Sequence, residues 1–337
     1  MSENMQREPI LKVENLKMYF PIRRGFFGGA IGDVKAVDDV SFFIEKGKTF
    51  GLVGESGCGK TTTGKCVLRI YEPTGGLIFY KGLDITKMSK AQIRPFRRDI
   101  QLIFQDPYGS LDPRQSIYSI LKEAITSDKR HRSSQEVTNR VNELLEAVEL
   151  DVSMSDRYPH EMSGGQRQRL GIARALSCDP ELIVCDEPVS ALDVSIQAEI
   201  INLLKNLQQK RGLTYLFIAH DLAVVKHIAD TIAVMYLGRI VEMMDAHEIY
   251  EKPMHPYTRA LLSAVPITDY YVEKQRTRII LEGEVPSPLH APSGCSFHPR
   301  CRYATEECKV TMPHLDDVGG GHKVSCYNLD KVTDGNG

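Results

Sequence analysis

What the chain lacks narrows its class first. The longest unbroken apolar run, Ile232 to Leu237, has six residues, whereas a membrane-spanning helix needs about 20. The chain is therefore not expected to cross a bilayer by itself. It also lacks a charge excess: 44 acidic against 42 basic residues leave a net charge of −2. No overall field recruits nucleic acid or an anionic membrane. The start, Met-Ser-Glu-Asn-Met-Gln-Arg-Glu-Pro, has neither the basic opening nor the apolar core of a secretory signal. Cytosolic residence is the expectation, and there disulfides are disfavoured. Internal repeats and low-complexity tracts are absent. What remains is 337 residues and 37.9 kDa, enough for about two domains of roughly 150 residues each. With 42% hydrophobic and 26% charged residues, the composition is that of an ordinary globular protein. A disordered tail, a collagen-like chain and a small disulfide scaffold are excluded.

Residues Val34 to Ile44 and Leu77 to Ile85 read as half-buried strands, the second turning at Lys81-Gly82. Between them lie the run Thr49-Phe50-Gly51-Leu52-Val53, a glycine-rich turn and a helical stretch from Lys60 to Ile70. Leu182 to Cys185 and Tyr215 to Ala219 are short and wholly apolar, which suits parallel strands covered on both faces. A helical pattern follows from Ile196 to Leu207. The pattern predicts a doubly wound α/β core. A helical insert interrupts it over about residues 106–170: Val137, Val141, Leu144, Leu145 and Val148 keep a helical period after the polar stretch Ser127 to Glu136. Beyond Pro253 the prolines at 256, 266, 286, 288, 292, 299 and 313 break any long helix. Residues 1–255 are expected to form the core domain and 256–337 a loop-rich extension.

Three segments carry chemistry. Gly54-Glu55-Ser56-Gly57-Cys58-Gly59-Lys60-Thr61 stands between a strand and a helix. Glycines let such a loop turn its N–H groups onto phosphate oxygens, and the following helix presents its positive end to the same anion. Lys60 is expected to reach the β- and γ-phosphates and the Thr61 hydroxyl to ligate magnesium, with Thr62 continuing the cradle. Next, the strand Leu182 to Cys185 ends in Asp186-Glu187. At that end of an α/β strand Asp186 can hold the metal, and Glu187 can orient or deprotonate an attacking water. Finally, Ser163-Gly164-Gly165-Gln166 opens a helix and offers a second phosphate cradle. One chain hardly needs two cradles for one nucleotide. The second is read as serving a nucleotide on a partner subunit.

In order and spacing these segments resemble the ATP-binding subunit of an ABC transporter. The resemblance implies a P-loop ABC core with an antiparallel β subdomain and a helical subdomain, binding ATP and Mg2+. It implies a Q-loop at Gln105, which senses magnesium and γ-phosphate, and a D-loop at Ser190-Ala191-Leu192-Asp193. It further implies a switch histidine at His220 and an adenine-stacking aromatic at Tyr19. Met162 stands where leucine is commoner in the signature. The stretches from His255 to Leu262 and from Gly294 to Cys301 are similar to the C-terminal region of dipeptide and oligopeptide importer ATPases. The Phe20 to Asp33 loop resembles the F-type partner of D/F pairs. This implies an ATPase on the cytoplasmic face of the inner membrane that powers peptide import. Its implied partners are a second, D-type ATPase, two permeases and an extracytoplasmic peptide-binding protein, with no nucleic acid. Import of another solute such as nickel is an alternative. A soluble ABC ATPase acting on DNA or ribosomes is a second, disfavoured by the single cassette and the short insert.

The cysteines raise a separate expectation. Cys58, Cys66, Cys178 and Cys185 are scattered, whereas Cys295, Cys301, Cys308 and Cys326 crowd near the C-terminus. The crowded four lack the paired Cys-x-x-Cys knuckles usual for zinc, and His298, His314 and His322 interleave with them. Four thiolates suit a 4Fe–4S cluster, and a mixed Zn2+ site also fits the residues. The importer resemblance implies iron–sulfur, with the structural task of holding a proline-broken segment together.

Overall fold

The apolar runs become fully buried strands, as their composition requires. A computed structural model describes residues 8–23, 30–127, 133–265 and 278–334. Its strands in chain order are β1 (Leu11–Arg23), β2 (Ala30–Ile44), β3 (Thr49–Val53), β4 (Gly75–Tyr80), β5 (Leu83–Asp84) and β6 (Ile100–Ile103). They continue as β7 (Leu182–Asp186), β8 (Thr214–Ala219), β9 (Thr231–Tyr236), β10 (Arg239–Asp245), β11 (Asp316–Gly319) and β12 (His322–Val324). The chain divides into two compact units.

One unit comprises Ile44–Thr49 and Lys87–Ile218, with residues 8–10. Here β6, β7 and β8 pair in parallel, Ile100 opposite Leu182 and Leu182 opposite Thr214. Every residue of β7 is buried, which explains why that strand shows no alternation. The unit also carries the helices Ile117–Thr126, Ser134–Ala147 and Gly164–Leu176. Ser116 caps the first; Ser133 with Glu136 and Ser163 with Gln166 close capping boxes on the others. Ile117, Ile120, Leu121, Val137, Val141, Leu144 and Leu145 form the buried stripes that pack them. The helix Val194–Arg211 ends where Gly212 takes a left-handed conformation (φ 65°).

The other unit comprises Leu11–Phe43, Phe50–Thr86 and the chain from Ala219 onward. It holds an antiparallel sheet ordered β2-β1-β4-β5, with Leu11 opposite Tyr80 and Val13 opposite Ile78. The turn between β4 and β5 falls at Lys81-Gly82, both at positive φ, as the sequence predicts. Parallel to β3 runs β9, with Phe50 opposite Thr231; a hairpin turning at Leu237-Gly238 joins β9 to β10.

Two expectations need correction. The Phe20 to Asp33 loop is largely strand, since β1 reaches Arg23 and β2 starts at Ala30; residues 24–29 lie outside the described residues. The extension is also more regular than its prolines suggest. Its β12 pairs with β10, Glu242 opposite Val324, and β11 pairs with β12. Pro256, Pro288 and Pro299 stand at helix starts, where a missing N–H costs nothing. Among the described residues no helix is long and apolar enough to cross a membrane.

Candidate active site

The phosphate loop belongs to the second unit. It leaves β3, all of whose residues are buried, and enters the helix Lys60–Val67 through Gly59 at φ 108°. Two of its glycines have steric reasons. A Cβ on Gly54 would sit 2.1 Å from the Met235 carbonyl oxygen, and one on Gly59 would sit 2.0 Å from that of Ala36. Both are backbone contacts that cannot move aside, so the ends of the loop are wedged against the sheet. Ser56 and Gly57 at its crest are exposed. Gly59 brings no side chain to cap the helix, whose first-turn N–H groups have no intrahelical acceptor. That is the arrangement an anion needs. The buried Lys60 ammonium donates to the carbonyls of Gly54 at 2.7 Å and Glu55 at 2.9 Å, so it lies across the loop. Cys58 is buried beneath it; burial pushes its thiol pKa up despite the nearby ammonium. It packs as a neutral side chain.

Tyr19 and His220 belong to the same unit. The Tyr19 hydroxyl donates to Asp38, which also accepts from Arg239 Nη2 at 2.6 Å and Nε at 3.0 Å. Burial and Asp38 push the Tyr19 pKa up, so it stays a phenol. Lys35 Nζ stands 5.6 Å from its ring centroid. The ring thus has one cationic face and a fixed edge. His220 is exposed at the end of β8.

Gln105, Asp186, Glu187, Ser163 to Gln166 and Asp193 belong to the first unit. Asp186 ends β7 and is 6% exposed. Glu187 takes φ 46°, a left-handed conformation that costs a side-chain-bearing residue about 1–2 kcal/mol. Its N–H donates to Ile218 O at 2.9 Å, and its carbonyl accepts from Ser190 N at 3.3 Å and Oγ at 3.1 Å. The twist turns the carboxylate away from the strand, where Gln105 Nε2 donates to Oε2 at 3.0 Å. The structure thus brings together Gln105 and Glu187, which stand 82 positions apart in the chain. The Asp186 carboxylate in the first unit and the Thr61 hydroxyl in the second are each hard oxygen donors of the kind Mg2+ takes.

Ser163 accepts from Gln166 N at 3.3 Å and donates its own N–H to Gln166 Oε1 at 3.0 Å. Gly164 and Gly165 lie against Leu192 and the start of the helix that follows it. A Cβ on Gly165 would come 2.7 Å from Ile196, and one on Gly164 3.3 Å from Leu192. Asp193 precedes the helix Val194–Arg211 without a side-chain cap bond to it and is exposed.

The iron–sulfur expectation is overturned. Among the described residues no group of three or more His, Cys, Asp or Glu is arranged to hold a metal ion. Cys295, Cys301, Cys308 and Cys326 are free thiols, and burial favours the protonated form of Cys295, Cys301 and Cys326. Burial pushes Cys295 and Cys301 each up to about 11. The Asn328 side chain donates to Cys308 Sγ at 3.2 Å and its backbone N–H to Cys326 Sγ at 3.4 Å; at Cys326 that bond opposes the burial that raises the pKa, and burial wins. The zinc alternative fares no better: His322 Nε2 is spent on Glu242 at 2.8 Å, and His314 is exposed. Cysteine crowding in the sequence marked a small folded segment.

Sequence reasoning missed the groups around Glu55. Its N–H donates to Tyr257 Oη at 3.0 Å, and Arg300 Nη1 lies 3.1 Å from Oε2. Nothing in their spacing announces that pairing.

A nucleotide cradle at a strand-to-helix turn, a glutamine on the carboxylate beyond Asp186 and a capped Ser-Gly-Gly helix define an ABC-type ATPase. Solved cassettes agree. The ATP-binding cassette MJ0796, in a dimeric post-hydrolysis state with ADP and phosphate, matches with a TM-score of 0.62 at 26% identity. The match covers 70% of this chain and 98% of that one. The ABC transporter family model matches residues 37–190, and that of the oligopeptide/dipeptide transporter C-terminal region matches 241–308. The oligopeptide transport ATP-binding protein AppF of Bacillus subtilis is 52% identical over 95% of this chain and 98% of its own. OppF of Escherichia coli is 49% identical over 97% and 98%, and the dipeptide transport protein DppF of Haemophilus influenzae 46% over 98% and 99%. The chain belongs to the ABC transporter ATP-binding subunits, in their oligopeptide/dipeptide branch.

Proposed function

We propose that this chain is the ATP-hydrolysing subunit that powers import of di- or oligopeptides through a membrane ABC transporter. The observation that carries the reading is near-half identity to peptide-transport ATP-binding proteins along almost the whole chain, extension included. Residues 1–255 act as the nucleotide-binding domain and 256–337 as the importer-type extension. The subunit sits peripherally on the cytoplasmic side of the inner membrane, with two permeases, a D-type ATPase and an extracytoplasmic peptide-binding protein.

The residues divide the work. Gly54 to Gly59 with Thr62 cradle the phosphates, Lys60 neutralises their charge, and Tyr19 stacks on adenine. Thr61, Gln105 and Asp186 would hold Mg2+, which would supply positive charge against the phosphates. Glu187 positions and deprotonates the attacking water, and His220 contacts the γ-phosphate. Ser163 to Gln166 and Asp193 serve the nucleotide of the partner ATPase. Catalysis is then mainly positioning and charge stabilisation.

The test is co-purification of the tagged chain from its native membranes, followed by ATPase assay with peptides. Recovery with two permeases and peptide-stimulated turnover is expected. Recovery with ribosomes or DNA, or stimulation by nickel but not peptide, would overturn the peptide reading.

A further inference from the structure

The extension reaches back to the first residue of the phosphate loop after Gly54. Tyr257, wholly buried on the helix Pro256–Ala264, accepts from the Glu55 N–H at 3.0 Å. Arg300 donates through Nη1 to Glu55 Oε2 at 3.1 Å, with Oε1 at 3.4 Å. Its side chain is 9% exposed and that of Glu55 28%. Burial pulls the Arg300 pKa down, but the net shift is upward, with the hydrogen bond to the Glu55 carboxylate and its charge among the causes. The guanidinium therefore stays charged and directed.

The groups that hold Glu55 are themselves held. Rings of Tyr236 and Tyr257 meet at 4.7 Å and 60°, and Phe297 packs edge-on to Tyr236 at 5.2 Å and 89°. Phe297, 1% exposed, opens the short helical turn that ends at Arg300. The fully buried Glu242 on β10 accepts from Met254 N at 2.7 Å, His255 N at 3.0 Å and His322 Nε2 at 2.8 Å. The extension is thus fixed to the sheet on one side and to the loop on the other.

We propose that Arg300 and Tyr257 are positioning residues for ATP binding, acting through Glu55 to hold the phosphate loop in its cradle form. This rests on the nucleotide reading above. Glycine-rich loops lose much backbone freedom on ordering. Tying Glu55 from outside the loop means that part of this ordering precedes ATP arrival, which strengthens binding. Tyr257 claims the Glu55 N–H, and the Glu55 carbonyl accepts from Cys58 N at 3.3 Å, so Glu55 is fixed at its side chain, N–H and carbonyl together. The extension thereby becomes part of the nucleotide site's scaffold.

The experiment measures equilibrium binding of ATP with Mg2+ to the full chain, with melting temperature recorded alongside. Arg300→Gln and Tyr257→Phe, the latter keeping the ring cluster intact, are each expected to weaken ATP about five- to tenfold, the low end of typical coupling between sites. In the assembled transporter the loss should appear in KM for ATP, with kcat changed less than about twofold. Arg302→Gln, two residues on and exposed, should leave affinity unchanged. Glu55→Gln combined with Arg300→Gln should weaken binding no more than the worse single variant, because both cut one link. Affinities of Arg300→Gln and Tyr257→Phe within about twofold of wild type, or losses that multiply in the double variant, overturn the proposal. Wild-type chain that binds no ATP overturns the nucleotide reading together with it.

Discussion

Glu187→Gln isolates chemistry from architecture. The backbone of Glu187 is held by its own N–H on Ile218 O at 2.9 Å and by Ser190 Oγ on its carbonyl at 3.1 Å. Neither bond involves the carboxylate, so the amide variant keeps the turn. Gln105 donates to Oε2 at 3.0 Å, and the amide oxygen can accept the same bond after rotation. What the amide cannot do is take a proton. Loss of a positioned base costs about 10²–10⁴ in rate, or about 2.7–5.4 kcal/mol of barrier. Phosphate release by the assembled transporter should fall by that factor, while ATP affinity and melting temperature hold. Glu187→Gly extends the reasoning. At φ 46° glycine removes about 1–2 kcal/mol of backbone strain and adds about 0.5–1 kcal/mol of chain entropy cost. Stability should rise by no more than about 1.5 kcal/mol while hydrolysis is lost. Turnover of Glu187→Gln within threefold of wild type would refute the assignment of Glu187 as base.

Other tests follow from single residues. Tyr19→Ala should weaken ATP by about 1–3 kcal/mol, taking base–aromatic stacking on nucleic acids as the guide; Tyr19→Phe, which keeps the ring and loses only the Asp38 bond, should weaken it far less in the same titration. Glu242→Leu strands three buried donors and should cost about 3–5 kcal/mol in urea unfolding, the range for breaking a buried charged pair; Glu242→Gln should cost less. His255 is buried with its pKa depressed from 6.5 to about 4, by desolvation that outweighs the Glu242 charge. Its folded form therefore binds fewer protons than the unfolded chain between those values. Stability should be intact above pH 6.5 and fall toward pH 4 by up to about 1.4 kcal/mol per pH unit, and His255→Gln should flatten that slope in urea midpoints taken across the range.

The core was legible because its chemistry is local. Gly54 to Thr61 must be contiguous for one turn to wrap one anion, and Asp186-Glu187 must stand at the C-terminal end of an apolar strand. Ser163 to Gln166 shows a capping box at the spacing a helix start demands. The pairing of Gln105 with Glu187 was not legible in pattern alone, because strand order brings those residues together across the helical insert. Family resemblance named both residues but not their contact. The left-handed Glu187 had no sequence signal, since glutamate rarely adopts that conformation.

The extension misled in two ways, and both have a physical source. Proline was read as a helix breaker, yet Pro256 follows His255, whose Nδ1 accepts from Tyr257 N at 3.1 Å. The pair is a helix start, and it aims Tyr257 at the phosphate loop. Cysteine crowding suggests metal chemistry, since a small segment with little core usually needs staples. This segment instead draws its stability from the sheet. It lends β12 to β10, seats Phe297 among Tyr236, Tyr257 and His255, and satisfies a buried carboxylate with its own histidine. An element anchored to a large neighbour needs no internal cross-link. The same anchoring makes Arg300 rigid enough to matter at Glu55.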